Sequence, residues 1–335
     1  MNAKEIVVFF TGGTIGMDAA PGQAGAAPGN NQGRIFNALP AHLGSVSIKT
    51  VAWADLPSPH ITPEIMLRLS MDLEAQLSRP EVAGAVVLHG TDLMAETAFL
   101  LELTLSSPKP VVLTGSMLHL NQAGYDGIRN LEDSLAVCLA AGHNRGVLVQ
   151  MAGEVFQAGD VVKMDSVSVS PMLAQRRGHV ARVVEGEASF FRPPAQDAAI
   201  RALLPRPVTV LAERVEALKC FPGMGADYVR YATGNGLCGL VVEGFGAGNV
   251  PPVLAPALGE AAARGVAVVL TTRCLRGGVY PIYAYNGGGA QLLRAGLING
   301  HGLTSDKALL LLKVALGCGC NAKTIETLCA HYGRA

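Results

Sequence analysis

Charged side chains are scarce in this chain. Asp, Glu, Lys and Arg make up 16% of its 335 residues, and 26 basic groups cancel 26 acidic ones to a formal net charge of zero. Average globular chains carry about 25% charged residues, so a large share of this one belongs to interior. Without a basic cluster, a phosphate backbone or an anionic lipid has nothing to condense on, and neither a nucleic acid nor a membrane is an expected partner. The balance suits a small molecule instead. Long apolar runs are missing too: the best candidate, Ala308–Leu312, meets Lys313, far short of the ~18 unbroken apolar residues of a spanning helix. Near the start, Ile6–Phe10 is too short for the core of a secretion signal, and no small-residue cleavage site follows it. A soluble, cytoplasmic protein is expected.

Paired cysteines are also lacking. The seven cysteines are odd in number and scattered, with only Cys318 and Cys320 close together. A zinc or redox site calls for a CxxC-type pair joined by a second pair or by histidines at ligand spacing. The pattern here reads as free thiols in a reducing compartment, with no metal.

Glycine, by contrast, is abundant: 40 of the 335 residues, where about 7% is usual. At ~150 residues per domain the length suggests two domains. Short β-branched runs at Glu5–Phe10, Ser47–Trp53, Gly84–Leu88, Pro110–Leu113 and Gly146–Met151 alternate with helical stretches. The clearest helix opens at Thr62-Pro63-Glu64, where Thr caps, Pro suits the first helical position and Glu complements the dipole. Further helices are expected over Met94–Leu105 and Gly127–Ala141. Strands apolar on both faces and separated by helices make a parallel sheet covered by helices, an α/β fold. The stretch Phe190–Pro207 holds four prolines and breaks the alternation, which places a domain boundary there. The expected division is residues 1–190, a linker over 191–207 and a smaller α/β domain over 208–335. In that last part strands are expected at Val208–Ala212, Leu237–Glu243 and Val266–Thr271, and helices at Val253–Ala263, Asp306–Leu316 and Ala322–His331.

Asp18–Arg34 has no apolar period and closely follows the first strand. Loops this long are commonly lids, and in open α/β sheets a lid is useful beyond the carboxyl ends of the strands. Three of those ends are chemically unusual. The first strand runs into Thr11-Gly12-Gly13-Thr14-Ile15-Gly16, the third into His89-Gly90-Thr91-Asp92 and the fourth into Thr114-Gly115-Ser116-Met117. Each joins glycine, whose backbone N–H can approach an oxyanion, to a hydroxyl that can act as a nucleophile. Singly, Thr14 reads equally as a turn residue, Asp92 as a helix cap and Lys163 as a solvated strand-end lysine. A nucleotide site is disfavoured, because TGGTIG matches neither G-x-G-x-x-G nor a phosphate loop ending in Lys-Ser/Thr.

TGGTIG followed by HGTD resembles the bacterial-type L-asparaginase and glutaminase-asparaginase family, and the likeness runs through most of the chain. TGSM with Asp126-Gly127 and Asn130-Leu131 is similar to that family's third element. Asn144-Arg145-Gly146-Val147 leading to Gly159-Asp160-Val161-Val162-Lys163 is similar to its lysine segment, and Gly244–Asn249 to its second-domain glycine turn. The resemblance implies a larger, doubly wound, mostly parallel N-terminal domain and a smaller C-terminal α/β domain. It implies an amidohydrolase that releases ammonia from L-asparagine without a cofactor or metal. Thr14 would be the nucleophile, with Thr91, Asp92 and Lys163 as its supporting group. Asp92 would hold the substrate's α-ammonium and Ser58 its α-carboxylate. Backbone N–H groups near Thr91 and Ser116 would form the oxyanion hole, Gly90 would be a further substrate-binding residue, and Asn249 would reach a neighbouring subunit's site in a dimer of intimate dimers.

Three features depart from that pattern. The lid has no tyrosine where the family carries an activating one. Arg276–Ser305 holds no Asp or Glu, where periplasmic-type members place a carboxylate near that tyrosine. Pro59 follows Ser58, where a glutamine that grips the head group is common. One of Tyr280, Tyr283 and Tyr285 is expected to stand in for the lid tyrosine. The departures leave open another amide substrate, such as L-glutamine, D-asparagine or a substituted asparagine, and a non-catalytic binder of asparagine or aspartate.

Overall fold

The computed structural model describes residues 4–19, 25–39, 42–43, 45–193 and 197–334. The chain divides into two compact units, Met1–Gln196 and Asp197–Ala335. The centre of the first unit is five parallel strands: β1 (Lys4–Phe10), β2 (Val46–Ala52), β3 (Val82–Leu88), β4 (Val111–Thr114) and β5 (Val147–Met151), in the spatial order β5-β4-β3-β1-β2. Antiparallel strands Glu154–Gln157, Ala181–Val184 and Glu187–Phe190 extend it beyond β5, and His42–Leu43 lies beyond β2, making nine strands.

Side-chain alternation along these strands builds three layers. Val7 and Phe9 of β1, Ala85 and Val87 of β3 and Val111 and Leu113 of β4 join one buried cluster. The helices α1 (Pro63–Leu77) and α2 (Met94–Thr104) close that face with Leu69, Leu73, Met94 and Leu101. The residues between, Ile6, Val8, Phe10, Val86, Leu88 and Val112, face a second cluster with Leu131 and Leu135 of α3 (Gly127–Ala141). Helix α1 opens as expected, Thr62 Oγ1 accepting from Ile65 N–H with Pro63 in the first turn.

Strand ends β1, β3 and β4 therefore finish side by side on one edge, tied by backbone. Thr11 N–H and its hydroxyl both donate to the Leu88 carbonyl, at 3.0 and 2.9 Å, and His89 N–H donates to Thr114 at 2.8 Å. At Gly13 the chain has φ 90°, and a Cβ there would overlap the Cα and N of Gly90. No L side chain meets both conditions comfortably.

The lid stretch is more structured than its composition implies. Met17–Asp18 pairs antiparallel with Ala27–Pro28, and a short helix spans Gln32–Asn37. Asn31 donates to the Gly16 carbonyl at 3.0 Å, Asn30 N–H donates to Asp55, and Arg34 pairs with Asp18. Residues 20–24 of the expected lid, and 194–196 of the expected linker, lie outside the described residues.

The second unit holds a four-stranded parallel sheet, Val215–Lys219, Gly239–Gly244, Ala267–Thr272 and Ile298–Asn299. Helices Leu254–Ala263, Ser305–Gly317 and Ala322–Gly333 accompany it. The strand expected at Val208–Ala212 is not in this sheet. Those residues form no regular element and lie against Ser305–Gly317, with Ala212 N–H donating to the Lys313 carbonyl. The edge position goes to Val215–Lys219, which pairs with Gly239–Glu243. Helix Ala198–Arg201, capped by the Asp197 carboxylate, lies within the stretch expected to be linker.

These contacts predict a contrast between two glycines. Gly13→Ala should lower unfolding free energy by ~2 to 4 kcal/mol, since strain at positive φ adds to a backbone clash. Gly33→Ala, in Gln32–Asn37 with open space around it, should raise it by ~0.5 to 1 kcal/mol. Denaturant titration of the two variants beside wild type checks both signs.

Candidate active site

Thr14 starts a 3-10 turn, Thr14–Gly16, directly after the Gly12-Gly13 pair, both at positive φ. Because Gly13 presses on Gly90, Thr14 is carried to the end of β3, where a second 3-10 turn, Thr91–Leu93, leads into α2. Ser58 is buried, at 4% exposure, in a further turn, Ser58–His60. It lies against the same glycine: a Cβ on Gly90 would sit 2.7 Å from Ser58 Cβ. The backbone of one glycine thus gathers Thr14, Ser58 and Thr91.

Lys163 ends the strand Val161–Lys163, paired antiparallel with Met172–Ala174. Its Nζ donates to Thr91 Oγ1 at 2.8 Å and to Asp92 Oδ1 at 2.7 Å. The Lys163 side chain is 16% exposed and that of Asp92 59%. Lys163 is therefore not a solvated strand end. Nor does Asp92 cap α2; the residue at that position is Leu93, without a side-chain bond. The hairpin is anchored just ahead of Lys163 by the buried Asp160 carboxylate, which accepts from Arg176 N–H at 3.1 Å and Arg177 N–H at 2.7 Å and pairs with the Arg176 guanidinium. Thr91, already accepting from the lysine, donates its own proton to Met117 Sδ at 3.4 Å.

Beyond β4 the loop Gly115–Asp126 is organised by one carboxylate. Asp126 accepts from Met117 N–H at 3.1 Å and Leu118 N–H at 3.0 Å, and Asn130 donates to it and to the Gly115 carbonyl, each at 3.0 Å. With the Gly115 carbonyl held toward Asn130, the Ser116 N–H across the trans peptide points away from α3. The Ser116 hydroxyl donates its proton to Leu118 O at 2.8 Å, so the donor that Ser116 can offer a ligand is its backbone N–H.

His89 is fully buried beneath this edge. Nδ1 lies 2.7 Å from the Gly90 carbonyl and Nε2 3.0 Å from Thr97 Oγ1. A carbonyl only accepts, so Nδ1 carries the proton and Nε2 accepts from the threonine. Burial holds the imidazole neutral, pushed down to about 4 against a weaker opposing pull from the Gly90 carbonyl. Among the described residues no group of three or more His, Cys, Asp or Glu side chains is placed to hold a metal ion.

Seven expected site residues, Thr14, Ser58, Gly90, Thr91, Asp92, Ser116 and Lys163, belong to this one unit, around the ends of β1, β3 and β4. The eighth, Asn249, belongs to the other unit, where its Oδ1 accepts from Gly289 N–H at 3.1 Å and its backbone closes a bridge with Phe245. Tyr280, Tyr283 and Tyr285 are in that unit too, 44 to 56% exposed. Sequence reasoning missed Met117 as the partner of Thr91 and Tyr125, whose hydroxyl donates to the Ile15 carbonyl at 2.7 Å. Neither contact has a local signal.

Comparison with known proteins matches two family profiles in order, "Asparaginase, N-terminal" over residues 5–196 and "Glutaminase/Asparaginase C-terminal domain" over residues 214–328. The chain belongs to the asparaginase family. A probable L-asparaginase of Deinococcus radiodurans is 37% identical over 327 residues, covering 96% of this chain and 95% of that one. An L-asparaginase of Bacillus licheniformis is 30% identical over 317 residues, covering 93% and 95%. Among solved structures, a probable cytoplasmic L-asparaginase from Campylobacter jejuni superposes with a TM-score of 0.84 at 27% identity, covering 97% and 99%. Like its family, this asparaginase-type chain is an amidohydrolase that acts on a carbon–nitrogen bond of a linear amide.

The buried His89 gives the asparaginase fold a pH signature. The unfolded imidazole takes its proton near pH 6.5 and the folded one only near 4. Its contribution to stability is therefore complete above pH 6.5 and is lost as pH falls from there toward 4. Between pH 7.5 and 5.0 wild type should lose ~2 kcal/mol more unfolding free energy than His89→Gln, which cannot titrate. Equal losses in the two proteins would refute the assignment.

Proposed function

We propose that the chain hydrolyses L-asparagine to L-aspartate and ammonia through an acyl-enzyme on Thr14. The observation that carries this reading is the Lys163 ammonium bonded at once to Thr91 and Asp92, together with the backbone contact of Gly13 on Gly90 that brings the following residue, Thr14, to the same strand end. A free threonine hydroxyl is far too weak an acid to act alone at neutral pH, so it needs charged neighbours and fixed geometry. Thr14 Oγ attacks the side-chain carboxamide carbon, and the oxyanion that forms is met by backbone N–H groups at Thr91 and Ser116, each worth about 3 to 4 kcal/mol. The C–N bond breaks and ammonia leaves with the proton given up by Thr14. Water then attacks the ester, polarised by the Lys163–Thr91 pair, and Thr14 recovers its proton as the acid departs.

The Asp92 carboxylate, more than half exposed beside its lysine, suits the substrate's α-ammonium. Ser58, with its side chain against Gly90, suits the α-carboxylate. Pro59 supplies neither a side-chain hydrogen bond nor an N–H there, and a head group held by fewer polar contacts is discriminated less sharply. That observation favours a second reading in which another amide, such as L-glutamine, D-asparagine or a substituted asparagine, is turned over as well. The absent lid tyrosine favours a third, a binder of asparagine or aspartate without turnover.

We further propose a cytoplasmic homo-oligomer, a dimer of intimate dimers. Val167 at 80%, Tyr231 at 69% and Ile282 at 66% exposure are apolar groups that such an assembly would cover. Asn249 Oδ1 accepts from Gly289 N–H, and its Nδ2 is the donor it could offer a neighbouring subunit's site. A gel-filtration mass equal to one chain would exclude the assembly.

Ammonia release from L-asparagine should fall ~1000-fold or more in Thr14→Ala, as when other catalytic nucleophiles are removed. A variant as active as wild type would remove Thr14 from its role. An ammonia-release screen over the other amides, with calorimetry on any that bind, separates the three readings: binding without ammonia from any of them identifies the binder.

A further inference from the structure

We infer that Tyr125 is a positioning residue for Thr14, resting on the reading of Thr14 as nucleophile: its phenol anchors the Thr14–Gly16 turn to the loop after β4. Every carbonyl from Gly13 to Met17 has a hydrogen-bond donor. Gly13 accepts from Gly16 N–H, Thr14 from Met17 N–H, Ile15 from the Tyr125 hydroxyl, Gly16 from the Asn31 amide and Met17 from Leu120 N–H. The first two are internal to the turn and fix its shape, whereas the last three fix where the turn lies. Of these, Tyr125 grips the residue adjacent to the nucleophile, across 110 residues of sequence, at 2.7 Å.

The ring is itself fixed. It is packed against the cluster that holds Ile6, Phe10 and Ile15. Gly127, the first residue of α3, lies beneath it, and a Cβ there would overlap the tyrosine hydroxyl. Gly127 has no positive φ, so the ring, not the backbone, is what excludes a side chain. The neighbour Asp126 is the carboxylate that holds Met117 and Leu118 N–H, and Met117 touches Thr91. Through two adjacent residues, Tyr125 and Asp126, one loop end registers Thr14 against Thr91. Burial, reinforced by the Asp126 charge, raises the Tyr125 phenol well above its usual range. The hydroxyl keeps its proton and serves as a donor to Ile15 rather than as a base.

A misplacement of ~1 Å at a reacting group costs about 100-fold in rate. Tyr125→Phe, which deletes only the hydroxyl, should lower kcat for ammonia release from L-asparagine by ~10 to 100-fold with KM within about twofold, because Ser58 and Asp92 are untouched. Gly127→Ala should do the same by pushing the ring off Ile15, and because the displaced ring also costs stability, kcat is read per folded enzyme. A merely structural tyrosine would lower the melting temperature and leave kcat per folded enzyme unchanged in both. Wild-type kcat in Tyr125→Phe and Gly127→Ala, beside an inactive Thr14→Ala, overturns the role of Tyr125 and leaves the nucleophile standing. An active Thr14→Ala overturns both.

Discussion

The site depends on one steric constraint: backbone presses on backbone where β1 and β3 end. Parallel neighbours sit at the fixed spacing of a sheet, and residues that follow them must either diverge or do without side chains. Here they stay close because Gly13 meets Gly90 with no Cβ on either. Hydrogen bonds from Thr11 to Leu88 and from His89 to Thr114 carry the register of β1, β3 and β4 past their last paired residues. The positions of Thr14, Thr91 and Ser58 are consequences of that contact. Side-chain bonds refine them but do not create them.

Beneath this edge His89 and Asn130 have every side-chain nitrogen and oxygen hydrogen-bonded, which is what lets them sit in an apolar core. His89 spends both ring nitrogens on Gly90 and Thr97. Asn130 bonds the Gly115 carbonyl, Asp126 and Ala152 N–H. A buried group left half satisfied would cost more than it returned and would be free to rotate. Full pairing instead converts desolvation into stiffness, so the peptide planes at Gly90 and Gly115 are held from below while their upper sides face the site.

Much of this was legible in the sequence, for identifiable reasons. Strands β1, β3, β4 and β5 are apolar on both faces, and a run such as Ile6–Phe10 or Ala85–Leu88 has few other uses. The glycine-hydroxyl ends were legible because a close approach needs glycine. Lys163 was legible only through resemblance, since nothing near it in sequence announces Thr91. At Val208–Ala212 the apolar run predicts a strand, but Val215–Lys219 takes the sheet's edge, a choice made by tertiary pairing. In the expected lid, the described part pairs Met17–Asp18 with Ala27–Pro28 and forms a short helix; Asn30 and Asn31 find partners outside the segment in Asp55 and Gly16, and Arg34 closes back on Asp18. The contact of Tyr125 with Ile15 spans 110 residues and leaves no local trace.

The two threonines are held in opposite ways, and the difference matches the division of labour proposed for them. Thr91 is 5% exposed, and its hydroxyl is engaged on both sides, accepting from Lys163 and donating to Met117. A hydroxyl so committed is poorly placed to attack a carbonyl, but well placed to pass the field of an ammonium to something bound beside it. Thr14 is instead fixed by its backbone, through the carbonyls of its own turn and a glycine at positive φ. Anchoring a residue by its main chain leaves the side chain free to meet the substrate without first breaking a bond of its own. A nucleophile held in this way needs its turn placed accurately, because among the described residues no side-chain hydrogen bond of Thr14 corrects an error. Accuracy in this chain is supplied from outside the turn, by Asn31 on one flank and by Tyr125 and Leu120 on the other.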